Sequence, residues 1–373
     1  MTINYNTVLM KILRTQQHTT EEILLQTAQV LKSGGLIIFP TETTYGAGVD
    51  ATQQSAVDKL LAYKSRREGK PLSIAVVDQA MAEHYVEVNE SAAALYRRFL
   101  PGPVTVVSKA RQNLAQGVAS EYGTVGVRIP AYPLILELVS RYGKPITATS
   151  ANGSGEKRPY TVQDIFDGLS AKQKSLIDLV IDAGILPQNP PSTVIDTTLS
   201  TPVIFRQGEI NLDSPTPQQI FHSSSAQETR DIARRLLLKH WDNIKTKGLL
   251  IALQGSLGAG KTVFAQGIAQ FLQITVAVTS PTYVYMLDYP YLRYGVAGQF
   301  HHLDLWRIEQ PELVDKLELE SIIGPKQVIA IEWPSLAAKK LQQLAQTHQL
   351  PYLEVTIEDD GQHRTLSVTD LYD

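Results

Sequence analysis

The 373-residue chain contains no cysteine. That absence removes disulfides, thiolate metal sites and a cysteine nucleophile together, and leaves oxygen and histidine as the donors for any metal. Long apolar runs are missing as well: no stretch of 18 apolar residues occurs, so a spanning helix is excluded. The first twenty residues, MTINYNTVLMKILRTQQHTT, lack the apolar core and small-residue cleavage site of a secretory signal, and the cytoplasm is the expected location. Neither sign of charge dominates, with 34 Lys and Arg against 37 Asp and Glu. Up to residue 217 the count is 20 basic and 20 acidic, which leaves 34 − 20 = 14 basic and 37 − 20 = 17 acidic beyond it. A protein that grips nucleic acid through its phosphates ordinarily carries a basic excess, so tight direct binding of tRNA or DNA is disfavoured.

What is present is an ordinary globular composition, 43% hydrophobic and 19% charged, in a chain long enough for two cores. The stretch SPTPQQIFHSSSAQET, residues 214–229, holds two prolines and a serine run and reads as the junction. The expected organisation is a domain over 1–213, a linker over 214–223 and a second domain over 224–373, both of the α/β class.

In the second domain ETRDIARRLLLKHW has helical spacing, and GLLIALQG reads as a buried strand that runs into GSLGAGKT. With the helical VFAQGIAQFL behind it, this is the strand-loop-helix setting of a phosphate-cradling loop. Its glycines let backbone N–H groups turn toward phosphate oxygens, and the helix N-terminus adds a favourable dipole. Lys261 is positioned to reach the β- and γ-phosphates and the Thr262 hydroxyl to bind Mg²⁺. QVIAIEW supplies Glu332 at a strand end, where it can hold Mg²⁺ or polarise the attacking water. TSPTY carries hydroxyls in a loop suited to sensing a γ-phosphate. In HHLDLWRI, Asp304 is an acid in an apolar run that needs a partner if buried. His301 and His302 are adjacent on a strand, point to opposite faces and read as structural.

SLGAGKT, TSPTY, HHLDLWR and IEWP, in that order, resemble the TsaE family, small P-loop ATPases of bacterial tRNA threonylcarbamoylation. The resemblance implies slow ATP hydrolysis in support of a partner complex. By position it implies Gly255, Gly258, Ala259, Gly260 and Lys261 as the phosphate loop, Thr262 and Glu332 as Mg²⁺ ligands, Thr229 as a nucleotide contact and Asp304 as an acid at the site.

The first domain opens with a helix marked at both ends. Thr19 and Glu22 form a capping-box pattern at its start, and Gly34 and Gly35 close it. GLIIFP reads as a buried strand, and PTETTYGAGVD as a loop rich in hydroxyls and glycine. LLAYKSRREGKPLSIAV gathers Lys64, Arg66, Arg67 and Lys70 ahead of an apolar strand; alone, such a run reads as a solvated face. Elsewhere TVGVRIP sets Arg128 in an apolar run, where an unpaired guanidinium is costly. TSANGSG presents Ser150 and Asn152, PSTVID presents Ser192, and VIFRQGE leaves Arg206 at a strand end. Strands that end in basic and hydroxyl side chains mark the edge where α/β sheets bind anionic ligands.

These segments resemble the YrdC-like family, specifically the TsaC threonylcarbamoyl-AMP synthases, over residues 17–212. The resemblance implies an open twisted α/β sheet and a synthesis of threonylcarbamoyl-AMP from L-threonine, bicarbonate and ATP. By position it implies Lys64, Arg66, Lys70, Ser150, Asn152 and Arg206 around the ATP phosphates and adenylate, with Thr124 and Ala148 lining the nucleotide site. It implies Thr43, Arg128 and Ser192 as threonine contacts, with Tyr45 shaping their pocket. TsaD and TsaB are the implied partners, with tRNA reached through them. The competing reading is an RNA-binding module that delivers a P-loop switch to tRNA or the ribosome.

Overall fold

A computed structural model describes residues 10–64, 69–153, 156–210, 218–281 and 283–371, except the side chains of 311 and 312. The chain divides into two compact units, residues 1–198 with 204–212, and residues 199–203 with 213–373.

In the first unit the strand Leu36–Pro40 is buried at every position. Alternation sends Ile37 and Phe39 to one face, against Leu24 and Leu31 of the helix Thr20–Lys32 and Leu138 of the helix Pro133–Tyr142. Leu36 and Ile38 face the opposite core with Val57 and Leu60 of the helix Gln54–Lys64. The capping box of Thr19 and Glu22 is formed, with the Glu22 amide donating to Thr19 Oγ1 at 3.2 Å.

Two hydrogen-bonded sheets result. One runs Lys11–Arg14, Ile177–Asp182, Leu36–Pro40, Tyr45–Gly48, Thr149–Ser150. The other runs Val203–Arg206, Thr193–Asp196, Val104–Lys109, Thr124–Arg128, Ser73–Ala75, Ile146–Thr147. They meet at an isolated bridge between Asp50 and Ile146. The sequence reading of PTETTYGAGVD as loop throughout needs correction, because Tyr45–Gly48 is a fully buried strand antiparallel to Leu36–Pro40. Its glycines admit the Phe39 ring, which lies 2.7 Å from where a Cβ on Gly48 would sit.

The second unit holds a seven-stranded sheet in the order Gln218–Ser223, Arg364–Leu371, Tyr352–Asp359, Leu249–Gly255, Gln327–Glu332, Val296–Asp304, Met286–Arg293. The middle four strands are parallel and the outer ones antiparallel. The linker expected over 214–223 is corrected in its second part: Gln218–Ser223 pairs along Arg364–Leu371, with Phe221 wholly buried. QQIFHS alternates exposed and buried positions at its end, and that period outweighs the weak strand propensity of the serines beside it. The helix Lys261–Phe271 packs closely on Ala226–Lys239, where a Cβ on Gly267 would lie 2.7 Å from the Arg230 carbonyl oxygen.

Candidate active sites

In the first unit, polar groups from segments far apart in sequence gather at one end of the sheets. Arg128 closes the strand Thr124–Arg128 and is buried; its Nη2 lies 2.6 Å from Glu42 Oε1 and 3.4 Å from Thr43 Oγ1. Ser192 hydrogen-bonds Thr105 Oγ1 at 2.9 Å, and Arg206 donates to Ser192 through Nη2 (3.0 Å) and Nε (3.1 Å). Arg206 retains solvent access, yet burial and then the charges of Arg128 and Arg158 lower its pKa to about 10. The positive charges of Arg128 and Arg158 thus act on Arg206, with the Glu42 carboxylate paired to the first of them. Such a surplus of positive charge favours an anion.

Lys64 ends the helix Gln54–Lys64 and donates to the carbonyls of Ser150 and Asn152, both at 2.8 Å. The Tyr63 hydroxyl donates to the carbonyl of Ala151 between them. Desolvation lowers the Lys64 pKa to about 8. Its ammonium rests on backbone oxygens, a weaker partner than phosphate, so an entering anion can take it over. Lys70 is half-buried, and Arg66 lies outside the described residues. Ala148 sits in the break between Ile146–Thr147 and Thr149–Ser150, its N–H bonded to Ser73 O at 2.7 Å.

Two further residues expected at this site, Thr124 and Tyr45, make internal contacts. Thr124 starts the strand that Arg128 ends, about 13 Å away at strand rise. Its hydroxyl is spent on Ser120 Oγ at 2.8 Å. Tyr45 is wholly buried; its hydroxyl donates to Gly184 O at 2.8 Å and accepts from Ala183 N at 2.9 Å. It supports the loop at 183–184 from within the core. Glu42 was missed by sequence reasoning, because a lone acid in PTET carries no signal until the fold brings Arg128 to it.

In the second unit the strand Leu249–Gly255 delivers the glycine loop to the middle of the sheet. Gly260 has φ +111°, a conformation that favours glycine, and a Cβ on Gly255 would meet Ile357 O at 2.5 Å. Gly258, Gly260, Lys261, Thr262, Ser280, Asp304, Trp306, Glu332 and Trp333 line a cavity of about 350 Å³. Lys261 donates to the carbonyls of Gly255 and Ser256, both at 2.8 Å, and its Nζ lies 3.8 Å from the centre of the Trp333 ring. Burial lowers its pKa, and the charges of Glu332 and Asp304 act the other way.

Asp304 and Glu332 are register partners on adjacent parallel strands, and both are buried. The Thr262 hydroxyl donates to Glu332 Oε1 at 2.9 Å, and the Ser280 hydroxyl donates to Asp304 Oδ2 at 2.7 Å. The buried acid thus has the partner its position demanded. Thr229 is a different case: it is fully buried, hydrogen-bonded to Ser223 Oγ at 2.8 Å, and does not line the cavity. Arg364, missed in the sequence, lies against the loop: its Nε is 3.2 Å from where a Cβ on Gly260 would be.

No group of three or more His, Asp or Glu able to hold a metal occurs among the described residues. Mg²⁺ does not require one, since it keeps several waters and takes few protein oxygens. The Thr262 hydroxyl and the Glu332 carboxylate, already in contact, are hard donors of the right kind. No helix among the described residues is long and apolar enough to cross a membrane.

A family model described as "Telomere recombination", that of the Sua5, YciO and YrdC proteins, matches residues 29–208. A second, "Threonylcarbamoyl adenosine biosynthesis protein TsaE", matches residues 223–366. A putative threonylcarbamoyl-AMP synthase of Methanocaldococcus jannaschii is 35% identical over 202 residues, covering 54% of this chain and 93% of its own. The threonylcarbamoyl-AMP synthase of Bacillus subtilis is 32% identical over 194 residues, covering 52% of this chain and 55% of that protein. Among solved structures, a Sua5 variant of Pyrococcus abyssi aligns with a TM-score of 0.51 at 21% identity, over 94% of this chain and 100% of that one, a likeness of fold alone.

Proposed function

Because the chain belongs to the Sua5, YciO and YrdC family through its first half and carries a TsaE domain in its second, we propose that it performs two steps of one tRNA modification. The first half makes threonylcarbamoyl-AMP and pyrophosphate from L-threonine, bicarbonate and ATP. The second hydrolyses ATP to drive a partner complex that uses the product. The observations that support the reading are two polar groups in the first unit: Lys64 on the carbonyls of Ser150 and Asn152, and Arg206 on Ser192 with the charge of Arg128 acting on it.

In the first half, the threonine amine attacks the carbon of bicarbonate, with water leaving, or of its dehydrated form, with a proton lost from the amine, to give a carbamate. A carbamate oxygen then attacks the α-phosphorus of ATP; the α–β bridging bond breaks and pyrophosphate leaves. Arg128 and Ser192, with Thr43, hold the threonine carboxylate and hydroxyl. Lys64, Lys70, Arg66 and Arg206 neutralise the triphosphate and the departing pyrophosphate. Ser150, Asn152 and Ala148 bound the adenylate. Phosphoryl chemistry of this kind is mostly positioning and charge neutralisation, which suits a cleft rich in cations and hydroxyls.

In the second half, Lys261 moves from loop carbonyls to phosphate oxygens. Thr262 and Glu332 would hold Mg²⁺, which supplies Lewis-acid neutralisation of the phosphates when bound. Asp304 and Ser280 orient the groups around the terminal phosphate. TsaD and TsaB are the proposed partners that move the threonylcarbamoyl group to tRNA. Purified chain given ATP, L-threonine and bicarbonate should yield threonylcarbamoyl-AMP and pyrophosphate one for one, read by mass spectrometry. ADP and phosphate as sole products would refute the synthase assignment. Modified tRNA should form only after TsaD and TsaB are added.

A further inference from the structure

We propose that His302 is a positioning residue for Glu332, its Nε2–H holding one carboxylate oxygen so that the other serves the P-loop cavity. The inference rests on reading the second unit as a Mg²⁺-nucleotide site. His302 is fully buried, and its Nε2 lies 2.9 Å from Glu332 Oε1. The Thr262 hydroxyl reaches that same oxygen at 2.9 Å. An ionised carboxylate only accepts, so both neighbours donate and Nε2 carries the proton.

The other ring nitrogen fixes the tautomer further. His302 Nδ1 is buried with no hydrogen-bond partner, and the ring stacks on Phe300 with centroids 5.9 Å apart and planes 11° from parallel. A bare lone pair there costs less than an unpaired N–H or a buried charge. Strand alternation sets His302 on the face of Asp304 and turns His301 the other way, where it meets Asp288 Oδ1 at 2.7 Å and Gln327 Oε1 at 3.0 Å. Adjacent histidines therefore have separate tasks, one bracing a strand pair and one bracing the acid at the cavity.

A carboxylate with both Oε1 contacts in place has a single orientation, and Oε2 is the oxygen left to face the cavity that Glu332 lines. Partners of this kind typically change metal affinity by about 10- to 100-fold when removed. The test compares His302→Gln, whose amide nitrogen falls near the imidazole Nε2, with His302→Asn, whose amide is one bond shorter and cannot reach Glu332. Both are made in the full chain. ADP affinity is measured with and without Mg²⁺ by calorimetry, and the signal lost in Lys261→Ala is assigned to the P-loop. Mg²⁺ should tighten that binding in the wild type and in His302→Gln. In His302→Asn the tightening should fall roughly tenfold or more while Mg²⁺-free binding, which also reports a folded loop, is retained. Equal Mg²⁺ gain in the two variants, or its loss in both, overturns the role of His302. No Lys261-dependent Mg²⁺ gain in the wild type overturns the underlying site reading instead.

Discussion

In the second unit, Leu257, Gly258, Gly260, Lys261 and Thr262, all within the eight-residue stretch GSLGAGKT, line the cavity, and the acids facing them sit at the ends of two neighbouring strands. In the first unit the polar contacts instead join residues far apart in the chain: Glu42 with Arg128, Lys64 with Ser150, and Ser192 with Arg206. The chemistry differs in the same way. The P-loop lysine looks onto two carboxylates and an indole, so its positive charge is offset within the site. The first unit carries guanidinium groups whose charges act on one another and a lysine resting on carbonyls, an excess of positive charge over the single carboxylate of Glu42.

The largest effect expected is a separation of the two. Lys261→Ala should cut ATP hydrolysis to phosphate by roughly 10² to 10³, the loss typical of a preorganised charge donor. A smaller loss would mean that most phosphate release comes from elsewhere in the chain. Arg128→Ala should next cost about 3 kcal/mol of stability in urea unfolding of the first unit, because it leaves Glu42 buried without its ion-pair partner. Arg128→Lys should keep the fold and raise the KM for threonine about tenfold, since lysine cannot reproduce the guanidinium fork. Unchanged KM in that variant would remove Arg128 from the substrate.

How far the sequence carried this contrast depends on contiguity. The phosphate loop, Glu332 and the helix after the loop could be read directly, because each function sits on one local element with its own pattern. Lys64, Ser150 and Ser192 could be assigned to one site only through family resemblance, since the contacts of Lys64 with Ser150 and of Ser192 with Arg206 are properties of sheet topology. Thr124 shows the converse. Its strand was legible, but position along that strand decides which end a hydroxyl serves, and Thr124 serves Ser120. The strand Gln218–Ser223 was hidden by prolines and serines around a six-residue alternation, and only pairing with Arg364–Leu371 makes it a strand.

A pH series sharpens the contrast further. With its pKa lowered to about 8 by burial, Lys64 loses its proton above pH 8 in the free cleft, whereas bound phosphate favours the ammonium. Binding ATP there should take up a proton, and affinity should weaken by up to about tenfold per pH unit from pH 8 toward 10. Stability runs the opposite way: between pH 8 and the ordinary lysine range the unfolded chain binds more protons, so this group's contribution to stability rises with pH. Calorimetry of ATP binding to Lys261→Ala from pH 7 to 9.5 isolates the first site. A flat profile would take Lys64 away from the phosphates. The smallest effect concerns salt. Pyrophosphate release should change less than about twofold from 50 to 200 mM salt, whereas RNA binding through several phosphates would fall by about 10³ or more.

The central claim is that adenylation belongs to the first half and proceeds without the P-loop. Pyrophosphate release by the full chain and by Lys261→Ala, each with and without L-threonine and bicarbonate, tests it most directly. Release that requires both substrates and is equal in the two proteins is the result this account predicts. Phosphate release alone, indifferent to threonine and abolished by the substitution, would contradict it and leave the chain a single ATPase with a binding module attached.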